Sequence, residues 1–361
     1  PSVAVLPFVN MSGDANNEYF SDGLTETLLH MLAQLPELRV AARTSSFAFK
    51  GKDTGIKEIS TILGVAHILE GSVQKAGNRV RVTAQLIEAA TESNLWADRY
   101  ERNLTSILAL QSEVAQAIAR EIQVTLTPGV EILLTRARQV NPEAYEAYLK
   151  GQFHFYNLTS SDLETALQHF ELALEKDPDY ALAQVGIALV WGGRGQMGWA
   201  PHHEALPKAK EAVQRALELD ETLAEAHYAQ AGLRAWGDWD WEGAEIAFRR
   251  AIELNPNFAD VRAYYSHFLM IMKRPEQAME QMNRAMELDP FNPLVQALRA
   301  VVLMSRHQFD EAIELYRNIL RTVPNHPVAI VGLRHAFFHK GMYQESIEAA
   351  KAHHTAWGQP E

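Results

Sequence analysis

The segment Gly193-Arg-Gly-Gln-Met-Gly198 satisfies by letter the Gly-x-Gly-x-x-Gly fingerprint that lets a backbone approach a dinucleotide pyrophosphate. That chemistry needs a strand before the glycines, and here the preceding periodicity is helical, so no cofactor is expected. His202-His203-Glu204 and His353-His354 offer imidazole nitrogens to a metal, but adjacent side chains point apart and no third ligand stands at metal-site spacing. The carboxylates of Asp238, Asp240 and Glu242 could do acid–base work, yet the interleaved Trp239 and Trp241 favour a helix-start turn with buried rings. Ser45, Ser46 and Ser72 have no sequence-evident base to activate them. Arg43, Lys50, Lys52, Arg79 and Arg81 form a modest basic cluster that fits a solvated sheet edge. The chain is therefore read as no enzyme, with no metal site. A hydrolase built on the N-terminal region would need a deep pocket joining Ser or His to carboxylates.

Composition sets the frame in which such groups would sit. At 361 residues there is room for two cores, and 47% hydrophobic against 22% charged residues is the balance of a folded chain. The formal net charge of −12 opposes attraction to phosphate backbones and anionic lipid, so nucleic acid is not an expected partner. Absence of cysteine excludes disulfides, thiolate metal ligands and thiol nucleophiles from the sequence. No apolar run reaches the roughly 18 to 20 residues of a membrane-spanning helix, and no signal segment leads the chain. Pro1 to Phe8 already reads as structure, as expected of a piece of a longer or processed product.

One pattern recurs after about residue 140: Ala, then a bulky apolar residue four on, a small or apolar one three further, and proline five beyond that. It runs Ala166, Phe170, Ala173, Pro178; Ala244, Phe248, Ala251, Pro256; Ala278, Met282, Ala285, Pro290; and Ala312, Tyr316, Ile319, Pro324. The last three starts are 34 residues apart (244, 278, 312). Weaker copies lie at Ala209, Val213 and Ala216, with Glu221 in place of proline, and from Ser346 to Ala350. Spacings of four and seven put one stripe on the second helix of a pair, small where helices approach closely, and proline ends the unit. Tyr228 and Gly232 supply the matching positions on a first helix. Each unit is a hairpin that cannot bury its face alone, so neighbours must stack. In the second unit about eleven extra residues, including Gly192 to Pro201, read as a rim loop.

Spacing and residue types resemble the tetratricopeptide repeat (TPR) family over 139–361, with about six repeats. The resemblance implies binding of a protein or peptide on the concave face made by the first helices, which in this register presents Trp236, His267, Met270, Met304, His335 and Phe338. Some of these are equally accounted for as packing residues. The last unit is followed only by Trp357 and a short tail, leaving an apolar end that predicts self-association into a homo-oligomer.

Residues 1–138 follow another rhythm. Ser2 to Phe8 predicts a strand; Phe20, Leu24, Leu28, Met31, Leu32 and Leu35 mark a helix ended by Pro36; Leu38 to Ala42 predicts a strand; Ile56, Ile59 and Leu63 mark a second helix. Ala66 to Lys75 and Asn78 to Ile87 predict a hairpin about Ala76 and Gly77, Leu95 to Tyr100 a further strand, and Ile107 to Ile122 a closing helix stopped by Pro128. The fold class is thus an α/β domain of mixed sheet and packed helices, followed by an all-α TPR solenoid. Val3-Ala-Val-Leu-Pro-Phe8, Tyr19-Phe-Ser-Asp-Gly-Leu-Thr25, Ala42-Arg-Thr-Ser-Ser-Phe47, Leu69-Glu-Gly-Ser-Val73 and Leu95-Trp-Ala-Asp-Arg-Tyr100 resemble the TolB-N-terminal-like or FlgO-like domain that precedes TPR repeats in bacterial signalling proteins. That resemblance implies a sensory or scaffolding role beside an adenylate cyclase, winged-helix or kinase module. A membrane anchor commonly precedes the pair, which favours periplasmic over cytoplasmic placement, and the family assigns no catalytic residues to these blocks.

Overall fold

The computed structural model describes residues 1–124, 141–157 and 159–356, with side chains through residue 351. Trp357 and the expected stop at Pro128 lie outside the described residues, as do the side chains of the His353-His354 pair. The chain forms two compact units, Pro1–Asn257 and Phe258–Glu361.

The first unit opens with β1 (Ser2–Val5), β2 (Val9–Asn10), α1 (Glu18–Ala33), β3 (Arg39–Val40), α2 (Arg43–Phe47), α3 (Ile56–Leu63), β4 (His67–Ala76), β5 (Arg79–Glu88), β6 (Ser93–Asn103) and α4 (Ile107–Glu121). The strands make one mixed sheet in the order β3-β1-β4-β5-β6, with β2 also paired to β4. β1 runs parallel to β3 and β4, whereas β4, β5 and β6 form an antiparallel meander. Alternation gives the two sheet faces different chemistry. Val73 pairs with Val82 and Leu69 with Leu86, and Trp96 and Tyr100 of β6 continue that apolar face. Glu70, Gln74, Arg81, Thr83, Arg99 and Glu101 point the other way, to solvent or half-buried. α1 and α4 pack on each other and cover the apolar face with Leu24, Leu28, Leu32, Leu110, Val114 and Ile118.

Helices then come in pairs. In the first unit these are α5 (Pro142–Phe155) with α6 (Ser160–Lys176), α7 (Ala181–Gln196) with α8 (His202–Leu219), and α9 (Ala224–Gly232) with α10 (Trp241–Leu254). The second unit holds α11 (Ala259–Ile271) with α12 (Pro275–Leu288), α13 (Pro293–Ser305) with α14 (Phe309–Thr322), and α15 (Pro327–His339) with α16 (Tyr343–Ala356). Starts are set by local chemistry: Asn141, Thr159, Asp240 and Asn292 cap free backbone N–H groups, and Pro142, Pro275, Pro293 and Pro327 occupy first-turn positions. Ala166, Ala244, Ala278 and Ala312 are fully buried, as close helix contact requires. Serine serves the same purpose when its hydroxyl is satisfied: Ser266 Oγ donates to Ala278 O at 2.7 Å, and Ser346 Oγ to Arg334 O at 3.0 Å.

Three local readings are corrected. Gly192 to Gln196 is not a rim loop; α7 continues through it, because Gly195 lets the helix approach Ala205 so closely that a Cβ there would lie 3.0 Å from the alanine methyl. The Asp238–Glu242 segment is a helix start, with Asp240 accepting from Gly243 N at 3.0 Å, but Trp239 is not buried. It is 65% exposed with φ 58°, following a π-helical turn at Leu233–Asp238. Arg79 and Arg81 lie on β5, an interior strand and not an edge, and Arg43 is in α2.

Candidate functional site

In the second unit α11, α13 and α15 lie side by side, and the Ser305 hydroxyl reaches the Met270 sulfur at 3.9 Å across two of them. Five of the six residues singled out from the sequence belong to these helices. His267, Met270 and Met304 are half-buried, His335 is exposed, and Phe338 is 57% exposed, a large apolar ring in water. Met304 also receives the Tyr316 hydroxyl at 3.7 Å, so part of its surface is spent on packing. Burial lowers the pKa of His267, and burial together with Arg334 and His339 lowers that of His335. Both imidazoles are therefore neutral near pH 7. The side chains gathered here are thioethers, an aromatic ring and neutral imidazoles.

Trp236 belongs to the first unit. Its half-buried ring meets Phe248 edge to face at 6.1 Å within its own hairpin.

The inner side of the first unit is engaged by the chain itself. Tyr19, Gly23, Glu26 and His30 recur at a helical spacing and form a second working stripe on α1, separate from the leucines that meet the sheet. Lys150 lies 5.1 Å from the Tyr19 ring centre, and Gly23 lets Leu149 approach so closely that a Cβ would overlap its side chain. Glu26 accepts from Arg43 Nε at 3.0 Å, Gln152 Nε2 at 3.4 Å and the Tyr156 hydroxyl. The Arg43 guanidinium stacks 3.7 Å from the Tyr156 ring centre. His30 Nε2 meets Glu225 of α9 at 2.7 Å, and Asn257 donates to Ala33 O and Leu38 O while accepting from Val40 N. Burial alone would depress the His30 pKa, but facing Glu225 raises it; burial would raise Glu225, and His30 brings it below the ordinary value. α1 therefore ties the sheet to the first and third hairpins. This stripe is missed by sequence reasoning because tyrosine, glutamate and histidine on a helix resemble a solvated face; Gly23 in mid-helix is the one signal of close approach.

The remaining chemical candidates do not converge. Ser45 and Ser46 are fully buried in α2, Ser72 lies on β4, and His202 and His203 are exposed at the start of α8. Among the described residues no group of three or more His, Asp or Glu is placed to hold a metal, and no helix is long and apolar enough to cross a membrane.

A model of the tetratricopeptide repeat family matches residues 235–302. "Putative adenylate cyclase 3" of Rhizobium meliloti (strain 1021) is 36% identical over 244 residues, covering 65% of this chain and 40% of the relative. "Transcriptional regulator HilA" of Salmonella typhimurium is 25% identical over 207 residues, covering 57% of this chain and 36% of the relative. The chain thus spans about two fifths of these relatives' length. Among solved structures, a thermophilic TPR protein of Thermus thermophilus superposes with a TM-score of 0.43 at 18% identity, over 54% of this chain and 99% of that one. The chain carries tetratricopeptide repeats, a helical array preceded in sequence by a small mixed sheet.

Proposed function

We propose that this chain is a non-catalytic interaction and sensory scaffold of a bacterial signalling protein, taking a protein or peptide on the inner face of its repeats. The observation that carries this reading is the row α11, α13 and α15, which presents His267, Met270, Met304, His335 and Phe338 on one side. TPR proteins bind protein or peptide partners, and the family match at 235–302 includes α11 and most of α13. The inner side of the first unit already holds α1, which concentrates binding on the second unit.

In this reading the sheet region is a TolB-N-terminal-like or FlgO-like domain over 1–138, and 139–361 is the repeat domain. A second reading is favoured by the names of the relatives, a cyclase and a transcriptional regulator. The chain is then the regulatory portion of a class III adenylate cyclase or a winged-helix regulator, and its binding modulates that output.

The test is capture of partners from lysate by the chain and by a His335→Ala/Phe338→Ala variant. Both side chains are exposed, so the variant keeps its helical circular dichroism and loses capture. Equal capture by a folded variant refutes the inner-face assignment.

A further inference from the structure

The sheet leaves a long strand at its margin. β6 runs Ser93–Asn103, pairs with β5 on one side, and among the described residues has no strand on the other. Edge strands are normally kept short, interrupted by proline, or loaded with one sign of charge, so that they do not template another strand. β6 has eleven residues and no proline, its bulge at Leu95 lies N-terminal to the stretch Ala97–Asn103, and that stretch carries charges whose signs cancel: Asp98, Arg99, Glu101 and Arg102 about a central Tyr100.

The order of those charges is antisymmetric about Tyr100, and this selects a partner. In an antiparallel pairing of two identical strands centred on Tyr100, Arg99 faces Glu101 of the other copy and Asp98 faces Arg102, each twice by symmetry. Moving the centre half a residue toward the N-terminus sets Asp98 against Glu101, and half a residue toward the C-terminus sets Arg99 against Arg102. A parallel in-register pairing sets every charge against itself. Only the Tyr100-centred register satisfies both pairs.

A second strand would have to displace two contacts within β6 itself, Arg99 N donating to Asp98 Oδ1 at 2.7 Å and Arg102 Nη1 donating to Glu101 O at 3.1 Å, which frees the same two side chains for their mates in the other copy. Arg99 and Glu101 lie on the open polar face of the sheet, where Glu101 is bridged by Arg79 and Arg81, and the Arg99 side chain is exposed. Asp98 and Arg102 lie on the helix-covered side, where Arg102 Nη2 contacts Glu113 at 2.9 Å and remains about two fifths exposed. We propose that the outer edge of β6 is a self-recognition surface, joining two copies of this chain through an antiparallel β6–β6 ladder over Ala97–Asn103 centred on Tyr100.

The experiment is sedimentation equilibrium of the full chain with charge reversals. The unaltered chain dimerises; Arg99→Glu and Glu101→Arg each set like charges opposite one another twice and weaken the dimer about tenfold. The double variant Arg99→Glu/Glu101→Arg restores opposite charges in the same register and recovers the dimer. As a second measurement, Tyr100→Cys introduces the sole thiol of a chain with no cysteine, and its symmetric mate lies within disulfide reach, so oxidation yields a covalent dimer. A monomer mass up to about 1 mM, where even a weak association of about −4 kcal/mol would register, overturns the proposal. A dimer indifferent to the single reversals, or a double variant that stays as weak as the singles, overturns it as well.

Discussion

Asp260, at the start of α11, offers the sharpest quantitative test of the second unit. Its carboxyl is half-buried, accepts from Asn292 Nδ2 at 2.9 Å, and shares that amide with the buried Asp289, which accepts from the same nitrogen at 2.9 Å. Burial and the neighbouring Asp289 charge push the Asp260 pKa from 3.8 up to about 7. A folded-state value above the unfolded one means a contribution that is fully present below pH 3.8 and lost as pH rises through 7. At about 1.4 kcal/mol per pKa unit the full displacement is worth about 4 kcal/mol, and partial access to water reduces the expectation to about 2 kcal/mol. Asp260→Asn keeps a side-chain oxygen for Asn292 and removes the charge. The variant is therefore expected to equal the parent near pH 3 and to exceed it by about 2 kcal/mol at pH 8. Urea unfolding of the full chain at both pH values, with hydrogen exchange followed in 259–305, reads the difference locally. A stability difference that does not change with pH would refute the reasoning.

Three further outcomes follow from packing. The Phe170 ring lies between Gly151 and Gly186, and a Cβ at Gly186 would stand 2.7 Å from it, so Gly186→Ala should cost about 1–3 kcal/mol in urea unfolding. His30→Ala leaves Glu225 buried without its cation and should cost about 3 kcal/mol near pH 7. The unaltered chain loses the His30 contribution as pH rises through its elevated folded pKa, and the cost of the substitution should shrink in parallel. Trp236→Ala should lower the melting temperature through lost contact with Phe248, whereas Phe338→Ala, whose ring is exposed, should leave it nearly unchanged; the reverse order would reassign both residues.

What the sequence disclosed follows the range of the forces involved. The Ala244, Phe248, Ala251 stripe was legible because helix-on-helix contact fixes residue size at spacings of four and seven, and those positions are buried. The β4–β5 hairpin was legible because Val80, Val82, Ala84 and Leu86 alternate and Gly77 takes the positive φ of its turn. Other features depend on partners far away in sequence. The five-residue helix Arg43–Phe47 follows no periodicity of its own, and Arg43 within it is held by Glu26 and the Tyr156 ring. The second stripe of α1 is invisible until Leu149, Gln152 and Glu225 arrive to meet it. Of the six residues the register singles out, five lie on α11, α13 and α15, but only the folded chain shows that Phe338 is exposed while Trp236 is half-buried against Phe248.

The double use of α1 also bears on how the first unit assembles. A plain repeat array can nucleate in any hairpin and grow outward, since each repeat touches only its neighbours. Here Gly23 must meet Leu149, His30 must meet Glu225 and Leu38 must meet Asn257, pairings that span more than a hundred residues of chain. Closing such loops precedes the gain from the contacts, so the first three hairpins should acquire their final packing late and together with the sheet, with slow and highly cooperative kinetics unlike those of a free-standing array.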